Sequence, residues 1–568
     1  MSSIQLKAPK DPIQTQNGFY ILKNTLMEVV EVEPGRSIGE FYLSDGRIEN
    51  AAEILGGVKK QEILAKLGTL QGFKELIHAI GVSIEITEFV NGMQSQEPVQ
   101  FECMVYGKID PYKSGTHIQM SVDPTGVEHR VSLEEVTWSE DDDRVGKLVF
   151  QFPKEVSLAA VDVKLYFKSN IECPIEVEEF EVDQSSEPYH EMIQNSLIQY
   201  GNYHKIKEIV DRIKRNDPVS IAFIGGSITQ GAGAVPSSKN CYAYRTFCGI
   251  RDAFTNDSAD HIEFIKAGIG GTSSELGVVR YDKDVLKFGA RTPDLVIVEY
   301  AVNDEGDETN GDCYEGLIRK ILNAPNQPAV ILLFSVFAHD YNLQERMIPI
   351  GQAYQLPMVS IKNAVTNQFY LSNEQGRIVT KGQFFYDMFH PSNLGHQMMA
   401  DCLLNLLKGI DQISIPCRST DFEKIKYFDR ARVPEHIQID CGDFDESDND
   451  LQYIELDDQT TPTKMFSDNW MYQGAKTDRT TFKMQINCRL LVVLPKDSGQ
   501  IEFGKAEIKV DGKTACIYDS REVGWTHSNA KIVLREQKSK IHEVELSMVK
   551  GEEDLCFTIL GFGYVDED

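Results

Sequence analysis

A serine, a histidine and an aspartate occur in segments where their side chains could perform nucleophilic chemistry. Ser227 follows two glycines in VSIAFIGGSITQG, residues 219–231, and Asp387 precedes His390 by three residues in DMFHP. A serine hydroxyl is a weak nucleophile at neutral pH and needs a base within hydrogen-bond reach. Histidine suits that role because its unperturbed pKa is near ~6.5, and a carboxylate can orient the imidazole and stabilise its cation. Together these residue types predict a catalytic triad of Ser227, His390 and Asp387.

Two further segments could supply donors for the tetrahedral oxyanion of acyl transfer. VIVEYAVND ends an apolar run at Asn303, and FIKAGIGGTSS ends another in clustered glycines. Preorganised donors typically contribute ~3 kcal/mol each, and a bare glycine N–H can approach an oxyanion closely. We therefore predict Asn303 and Gly271 as donors, with Gly270 as the next choice. Taken singly, each of these motifs also fits an ordinary turn or loop, where Gly, Ser, Asn and Asp are favoured for conformational reasons.

The segments that contain these residues must bring them to one edge of a sheet. Residues 219–224 form a short run rich in β-formers, about the length of a buried central strand, and the following glycines allow a sharp turn. Active sites of open α/β sheets collect at the carboxyl ends of strands. Residues 329–337 and 357–361 predict two further strands, and Ser392 can cap a helix that follows Pro391.

Serine, glycine, asparagine and histidine at the ends of successive segments resemble the blocks of the SGNH (GDSL-type) hydrolases. The resemblance covers residues 216–412 and includes all four blocks in the family order. It implies that Ser227 is the nucleophile, that Ser227, Gly271 and Asn303 form the oxyanion hole, and that Asp387 and His390 complete the triad. It also implies a three-layer α/β/α (flavodoxin-like) domain around a mostly parallel five-stranded sheet. We predict no cofactor and no metal.

Three positions depart from the family pattern. Gly226 stands where the family usually has the aspartate of Gly-Asp-Ser, Ala301 replaces the glycine of Gly-x-Asn-Asp, and Lys266 occupies the place of a common asparagine. None of these changes removes a group that performs chemistry. We therefore predict a working enzyme with a modified pocket.

The whole chain is predicted to be a multidomain α/β plus β protein. Residues 1–185 are β-rich and predict a β-sandwich with a helical excursion at 58–80, and residues 186–412 form the hydrolase domain with a helical lead-in. A polar linker at 413–435 precedes a C-terminal β-sandwich-like domain at 436–568. The alternating apolar pattern of the short strands in both flanking regions is typical of jelly-roll-like domains.

Composition limits the classes of partner. The chain has 57 basic and 87 acidic residues, a formal charge of −30, which argues against nucleic acid and anionic membrane surfaces. We find no signal peptide and no run of ~18 apolar residues. The eleven cysteines are scattered without a Cys-x-x-Cys pair, so structural zinc is not expected and a cytoplasmic location with reduced thiols is predicted.

Three aromatic residues of the C-terminal region are candidates for substrate contact. Trp470, Tyr472 and Trp525 lie in loop-like contexts, where a ring could stack on a sugar, although such residues are also common core anchors. The layout resembles that of bacterial carbohydrate esterases, which implies removal of O-acetyl groups from an acetylated carbohydrate. A short-chain lipid esterase, a thioesterase and a glycan-binding protein with an inactive hydrolase domain are the alternatives.

Overall fold

The computed structural model describes most of the chain, in two compact units. The described residues are 18–92, 95, 97–168, 180–255, 261–413, 439–447, 455–458, 461–464, 466 and 469–566. One unit takes the described residues up to Glu181 together with Lys381–Met388, and the other takes Val182–Thr380 and the described residues from Phe389 onward. The predicted linker lies, from residue 414, outside the described residues. None of the described helices is long and apolar enough to cross a membrane.

The first unit contains two antiparallel sheets that share one apolar core. The sheet orders are β1-β9-β4-β7 and β2-β3-β8-β5-β6. The strands are β1 (Gly18–Glu28), β2 (Val30–Glu33), β3 (Arg36–Tyr42), β4 (Ile77–Phe89), β5 (Val99–Gly107), β6 (His117–Val122), β7 (His129–Ser132), β8 (Asp142–Phe152) and β9 (Val156–Phe167). The sandwich expected from the alternating pattern is present.

The helical excursion begins and ends earlier than the sequence predicts. Helices α1 (Arg47–Ile54), α2 (Gln61–Leu67) and α3 (Leu70–Leu76) interrupt the strands, and the chain then continues directly into β4. The predicted helix to residue 80 is therefore wrong beyond Leu76. The β-branched residues that follow pair with β9, and this long-range pairing overrides the local helical pattern.

The second unit contains the central sheet, which has six strands where the resemblance implies five. The strand order is β10-β15-β14-β13-β11-β12, and all neighbours are parallel except β10 against β15. The strands are β10 (Leu197–Gln199), β11 (Val219–Gly225), β12 (Ile262–Gly268), β13 (Leu295–Glu299), β14 (Ala329–Phe334) and β15 (Met358–Ser360). Every residue of β11, β13, β14 and β15 is buried, which explains their nearly continuous apolar sequences.

Helices contact one another in two main groups around this sheet. The ranges are α4 (Glu187–Gln194), α5 (His204–Lys214), α6 (Ser227–Gln230), α7 (Ser237–Asn240), α8 (Tyr242–Phe254), α9 (Ser274–Asp284), α10 (Asp312–Leu322), α11 (Gln344–Ala353), α12 (Ile361–Val365), α13 (Lys381–Phe384, in the first unit) and α14 (Asn393–Gln412). Helix α14 packs on α8, α5 and α4, whereas α9 packs on α10. As predicted, the Ser392 hydroxyl caps α14 by accepting from the Gly395 N–H at 3.2 Å.

The C-terminal region of the same unit is an antiparallel sheet. Its order is β17-β20-β26-β21-β25-β22-β23, and β16 and β24 pair with β21. The strands are β16 (Ile439–Asp440), β17 (Phe444–Ser447), the separate hairpin of β18 (Glu455–Asp458) and β19 (Thr461–Lys464), β20 (Asn469–Gln473), β21 (Thr481–Asp497), β22 (Lys505–Val510), β23 (Lys513–Asp519), β24 (His527–Ser528), β25 (Lys531–Met548) and β26 (Cys556–Val565). Apolar side chains of this sheet, such as Val492 and Leu560, belong to the same core as the central sheet.

Candidate active site

The candidate nucleophile lies at the carboxyl end of a central strand. Strand β11 ends at Gly225, and Ser227 is the first residue of the short helix α6. The Ser227 Oγ is 3.0 Å from His390 Nε2. This distance is within the range for direct proton transfer between a nucleophile and its base. Two residues that are 163 positions apart in the sequence are thus brought together as predicted.

The candidate triad acid belongs to the first unit. Asp387 is 9% exposed, and its Oδ2 accepts a hydrogen bond from Arg47 Nε at 3.0 Å. Arg47 begins helix α1 and was not predicted. Its separation of 340 residues from Asp387 leaves no local sequence signal for the ion pair.

Asn303 lies against the turn that contains the nucleophile. A Cβ atom built on Gly226 would be 2.3 Å from Asn303 Oδ1 and 2.9 Å from Nδ2. Any larger residue at position 226 would therefore displace the Asn303 amide. Gly226, which stands where the family usually has aspartate, has no side chain, and the Asn303 amide occupies the space beside it.

The glycine loop after β12 is anchored by a side chain from the nucleophile's helix. Gln230 Oε1 accepts from the Gly270 N–H at 2.8 Å, and the fully buried Lys266 donates to the Gln230 carbonyl at 3.0 Å. Because the Gly270 N–H is already bonded, Gly271 is the better candidate for an oxyanion donor. Gly271 has a φ of +71°, which favours glycine.

A buried carboxyl group supports the turn that contains Ser227. Glu299, the last residue of β13, is fully buried and accepts from Thr229 Oγ1 at 3.2 Å. Burial raises the pKa of Glu299 to about 7, although hydrogen bonds from Thr229 and the Gly226 backbone oppose the shift. Glu299 thus braces the turn from β13, whereas the family's aspartate lies within the turn itself.

One buried arginine joins the ends of three strands. The Arg280 Nη2 donates to the carbonyl oxygens of Gly225 at 2.9 Å and Ala267 at 2.8 Å, and to the Tyr300 hydroxyl at 3.0 Å. Its Nη1 pairs with Asp284 at 3.0 Å. These strand ends lead directly to Ser227, the glycine loop and Asn303.

Asp304 positions the helix that follows the glycine loop. Its carboxylate accepts from the Ser274 N–H at 2.8 Å and from the Ser274 hydroxyl at 2.7 Å, at the start of α9. Burial raises the pKa of Asp304 to about 7. The two neighbouring residues therefore have different roles: Asn303 contacts the turn that contains Ser227, and Asp304 holds the start of α9.

A buried group near α9 offers possible metal ligands. Ligand atoms of Glu275, Asp307 and Cys313 lie within 4.8 Å of one another. The Asp307 carboxylate already accepts from Thr309 and from the Gly311 N–H. Burial and then the nearby Asp307 raise the pKa of Glu275 to about 8. These contacts fit a carboxylic acid paired with a carboxylate better than a metal centre.

Of the three predicted aromatic residues, Trp525 lies beside the site. A Cβ atom on Gly271 would be 2.8 Å from Trp525 Cη2, and Trp525 is 42% exposed. Tyr472 is instead fully buried and donates to the Glu553 carbonyl, so its prediction as a glycan contact is wrong. Trp470 packs against Phe482 and Phe562 in the core of the C-terminal sheet and serves as an anchor there.

Comparison with known proteins agrees with this geometry. Residues 223–398 match the GDSL-like Lipase/Acylhydrolase family, and the central part of the chain is therefore a GDSL/SGNH hydrolase domain. A two-domain esterase (CEX) active on acetylated mannans is 24% identical over 66% of this chain and 99% of its own, with a TM-score of 0.54. A structure of such an esterase co-crystallised with mannopentaose is 25% identical over 66% of this chain and 98% of its own, with the same TM-score of 0.54. No curated protein matches the sequence.

Proposed function

We propose that this protein is a serine esterase that removes O-acetyl groups from a plant or microbial polysaccharide or oligosaccharide, with acetylated mannan as the first candidate. The observation that carries the proposal is the 3.0 Å contact between Ser227 Oγ and His390 Nε2 at the carboxyl edge of the sheet. Asn303 and Gly271, the two candidate oxyanion donors, follow strands that neighbour the strand of Ser227.

Acylation begins when His390 takes the Ser227 proton as the hydroxyl oxygen attacks the ester carbonyl carbon. Negative charge then develops on the carbonyl oxygen, where the Ser227 and Gly271 N–H groups and the Asn303 amide stabilise it. His390 returns the proton to the leaving sugar hydroxyl as the ester bond breaks. The product is a free sugar hydroxyl and an acetyl group on Ser227.

Deacylation repeats the sequence with water as the nucleophile. His390 removes a proton from water, which attacks the acetyl-enzyme, and then protonates Ser227 as acetate leaves. Asp387, three residues before His390, is assigned to orient the imidazole and to stabilise its cation. The buried ion pair between Arg47 Nε and Asp387 Oδ2, at 3.0 Å, fixes the position of this carboxyl group.

A carbohydrate ester is favoured over a lipid or thioester by the wall of the site. Trp525 presents a partly exposed indole beside Gly271, and flat rings of this kind can pack against the C–H face of a sugar. The similar structures are an esterase active on acetylated mannans and one co-crystallised with mannopentaose.

The test is acetate release from acetylated mannan, acetylated xylan and their oligosaccharides, with 4-nitrophenyl acetate and octanoate alongside. We expect acetate release from a glycan by the wild type and none by Ser227→Ala, with an unchanged circular dichroism spectrum. Activity on octanoate alone would replace the proposal with a lipid or thioester hydrolase. Undiminished hydrolysis by Ser227→Ala, or a folded wild type inactive on every ester, would overturn it.

A further inference from the structure

A histidine of the C-terminal β region contacts the backbone of the oxyanion-hole glycine. His527, in the short strand β24, is 7% exposed, and its Nε2 lies 3.1 Å from the Gly271 carbonyl oxygen. A carbonyl oxygen can only accept a hydrogen bond, so the imidazole Nε2–H is the donor. The contact joins residues 256 positions apart, in the hydrolase domain and in the C-terminal sheet.

A buried hydrogen-bond network fixes this imidazole. His527 Nδ1 is 2.9 Å from Asp497 Oδ2, and Asp497 is fully buried at the end of β21. The other carboxylate oxygen of Asp497 accepts from the Tyr518 hydroxyl at 2.5 Å, which in turn accepts from Asn529 Nδ2 at 3.0 Å. Buried networks whose members are all bonded hold their side chains in one arrangement. The ring of His527 therefore has little freedom to leave Gly271.

The glycine loop needs such an anchor because glycine has the largest conformational freedom of any residue. Gln230 holds the loop on one side through the Gly270 N–H, and His527 holds it on the other through the Gly271 carbonyl oxygen. The Gly271 N–H, the candidate oxyanion donor, lies between these two anchors. Oxyanion donors are effective when they are fixed before the charge develops.

We propose that His527, held by Asp497, is a positioning residue for the oxyanion hole, so that the C-terminal β region takes part in catalysis. This inference rests on the esterase function proposed for Ser227. His527 fixes the loop that presents the Gly271 N–H, and it acts on the transition state through that loop. Its loss should therefore lower kcat far more than it changes KM.

The chain offers a matched control in the same sheet. His542 is also buried, and its Nδ1 lies 2.9 Å from Asp511 Oδ2. His542→Ala removes a comparable imidazole–carboxylate pair from strand β25, outside the groups assigned to the site. Any loss of stability common to buried histidines in this sheet will appear in both variants.

The experiment measures kcat and KM for 4-nitrophenyl acetate, together with Tm, in His527→Ala, His527→Gln, Asp497→Asn and His542→Ala. We expect His527→Ala to lower kcat by about ten- to hundred-fold with KM changed less than about threefold. His527→Gln, whose amide N–H can still reach the Gly271 carbonyl, should recover part of the loss, and Asp497→Asn should lower kcat in the same direction. His542→Ala should keep the wild-type kcat.

Three outcomes would overturn the inference. They are a wild-type kcat in a folded His527→Ala, an equal loss of kcat in His542→Ala, or a loss that appears in KM alone. If His527→Ala does not fold, Asp497→Asn provides the test. A lower kcat with little change in KM would then support the inference, and a wild-type kcat or a change in KM alone would overturn it. Each of these outcomes leaves the proposed function intact if the wild type shows Ser227-dependent hydrolysis. A wild type without that hydrolysis would overturn both proposals.

Discussion

Gly226 and Lys266 are single residues that depart from the family pattern, and each has a definite place in the site. Gly226 leaves room for the Asn303 amide, which would be 2.3 Å from a Cβ atom at that position. Lys266 is fully buried and donates to the carbonyl of Gln230, whose side chain holds the glycine loop. Both departures therefore change how the catalytic groups are supported and remove none of them.

Restoring the family's usual residue at position 226 should harm the enzyme. In Gly226→Asp the new side chain would push the Asn303 amide away from the turn, since the atoms nearest to a Cβ at this position belong to that amide. We expect kcat for 4-nitrophenyl acetate to fall at least ten-fold, on the order of the loss of one oxyanion donor, with a small change in Tm. An active Gly226→Asp enzyme would show that Asn303 is not needed in its present position.

Removing the Asn303 amide should affect the chemical step directly. We expect Asn303→Ala to lower kcat by about a hundred-fold because one oxyanion donor is lost, while KM changes little. The exposed Asn367 provides the matched control, and Asn367→Ala should keep wild-type kinetics. A change confined to KM would contradict the oxyanion role of Asn303.

Arg280 acts at the scale of the secondary-structure elements. Its guanidinium joins strands β11 and β12 through two carbonyl oxygens and reaches Tyr300 just after β13. The guanidinium is buried and has lost its hydration, and these hydrogen bonds compensate for that loss. The three strand ends that lead to the catalytic groups are therefore fixed by one side chain.

Arg280→Lys should destabilise the hydrolase domain. A lysine ammonium cannot reproduce the planar fork, which reaches Asp284 through Nη1 and the two carbonyl oxygens through Nη2, so we expect a loss on the order of 2–3 kcal/mol. Calorimetry should show a lower Tm for the transition of this domain. Arg319→Lys replaces an arginine whose side chain is 21% exposed and that pairs with Glu315, and it should cost at most about 1 kcal/mol. Equal effects of the two changes would argue against the role given to Arg280.

At the scale of the whole molecule, buried carboxyl groups make stability depend on pH. The folded-state pKa of Glu275 is raised to about 8, and those of Glu299 and Asp304 to about 7. Between their ordinary values and these raised values, the native state holds protons that the unfolded state has released. Stability must therefore fall as pH rises through this window.

Glu275→Gln tests this dependence at one group. The glutamine amide can donate to Asp307, as the protonated Glu275 does, and its oxygen can accept from the Glu308 N–H, which is 3.1 Å from Glu275 Oε1. We expect the same Tm as the wild type at pH 5 and a higher Tm at pH 8.5. A Tm difference that does not grow with pH would contradict the raised pKa of Glu275.

Strands and helices with a clear local sequence pattern could be predicted from the sequence, whereas contacts between distant residues could not. The strand-end motifs correctly grouped Ser227, Gly271 and Asn303, because neighbouring parallel strands place their carboxyl ends at one edge of the sheet. Arg47 and His527 could not be predicted, since their contacts with Asp387 and Gly271 span 340 and 256 residues. Tyr472 was misassigned for a related reason, because the alternation that buries it depends on pairing with β17 and β26.

The nucleophilic role of Ser227 is tested most directly by mass spectrometry of the folded protein after exposure to a fluorophosphonate. We expect one covalent adduct, on Ser227, because only a hydroxyl activated by His390 attacks phosphorus rapidly. His390→Ala should slow the labelling strongly, and Ser227→Ala should abolish it. An unlabelled wild type, or labelling that persists in Ser227→Ala, would contradict the claim that Ser227 is the nucleophile of a working esterase.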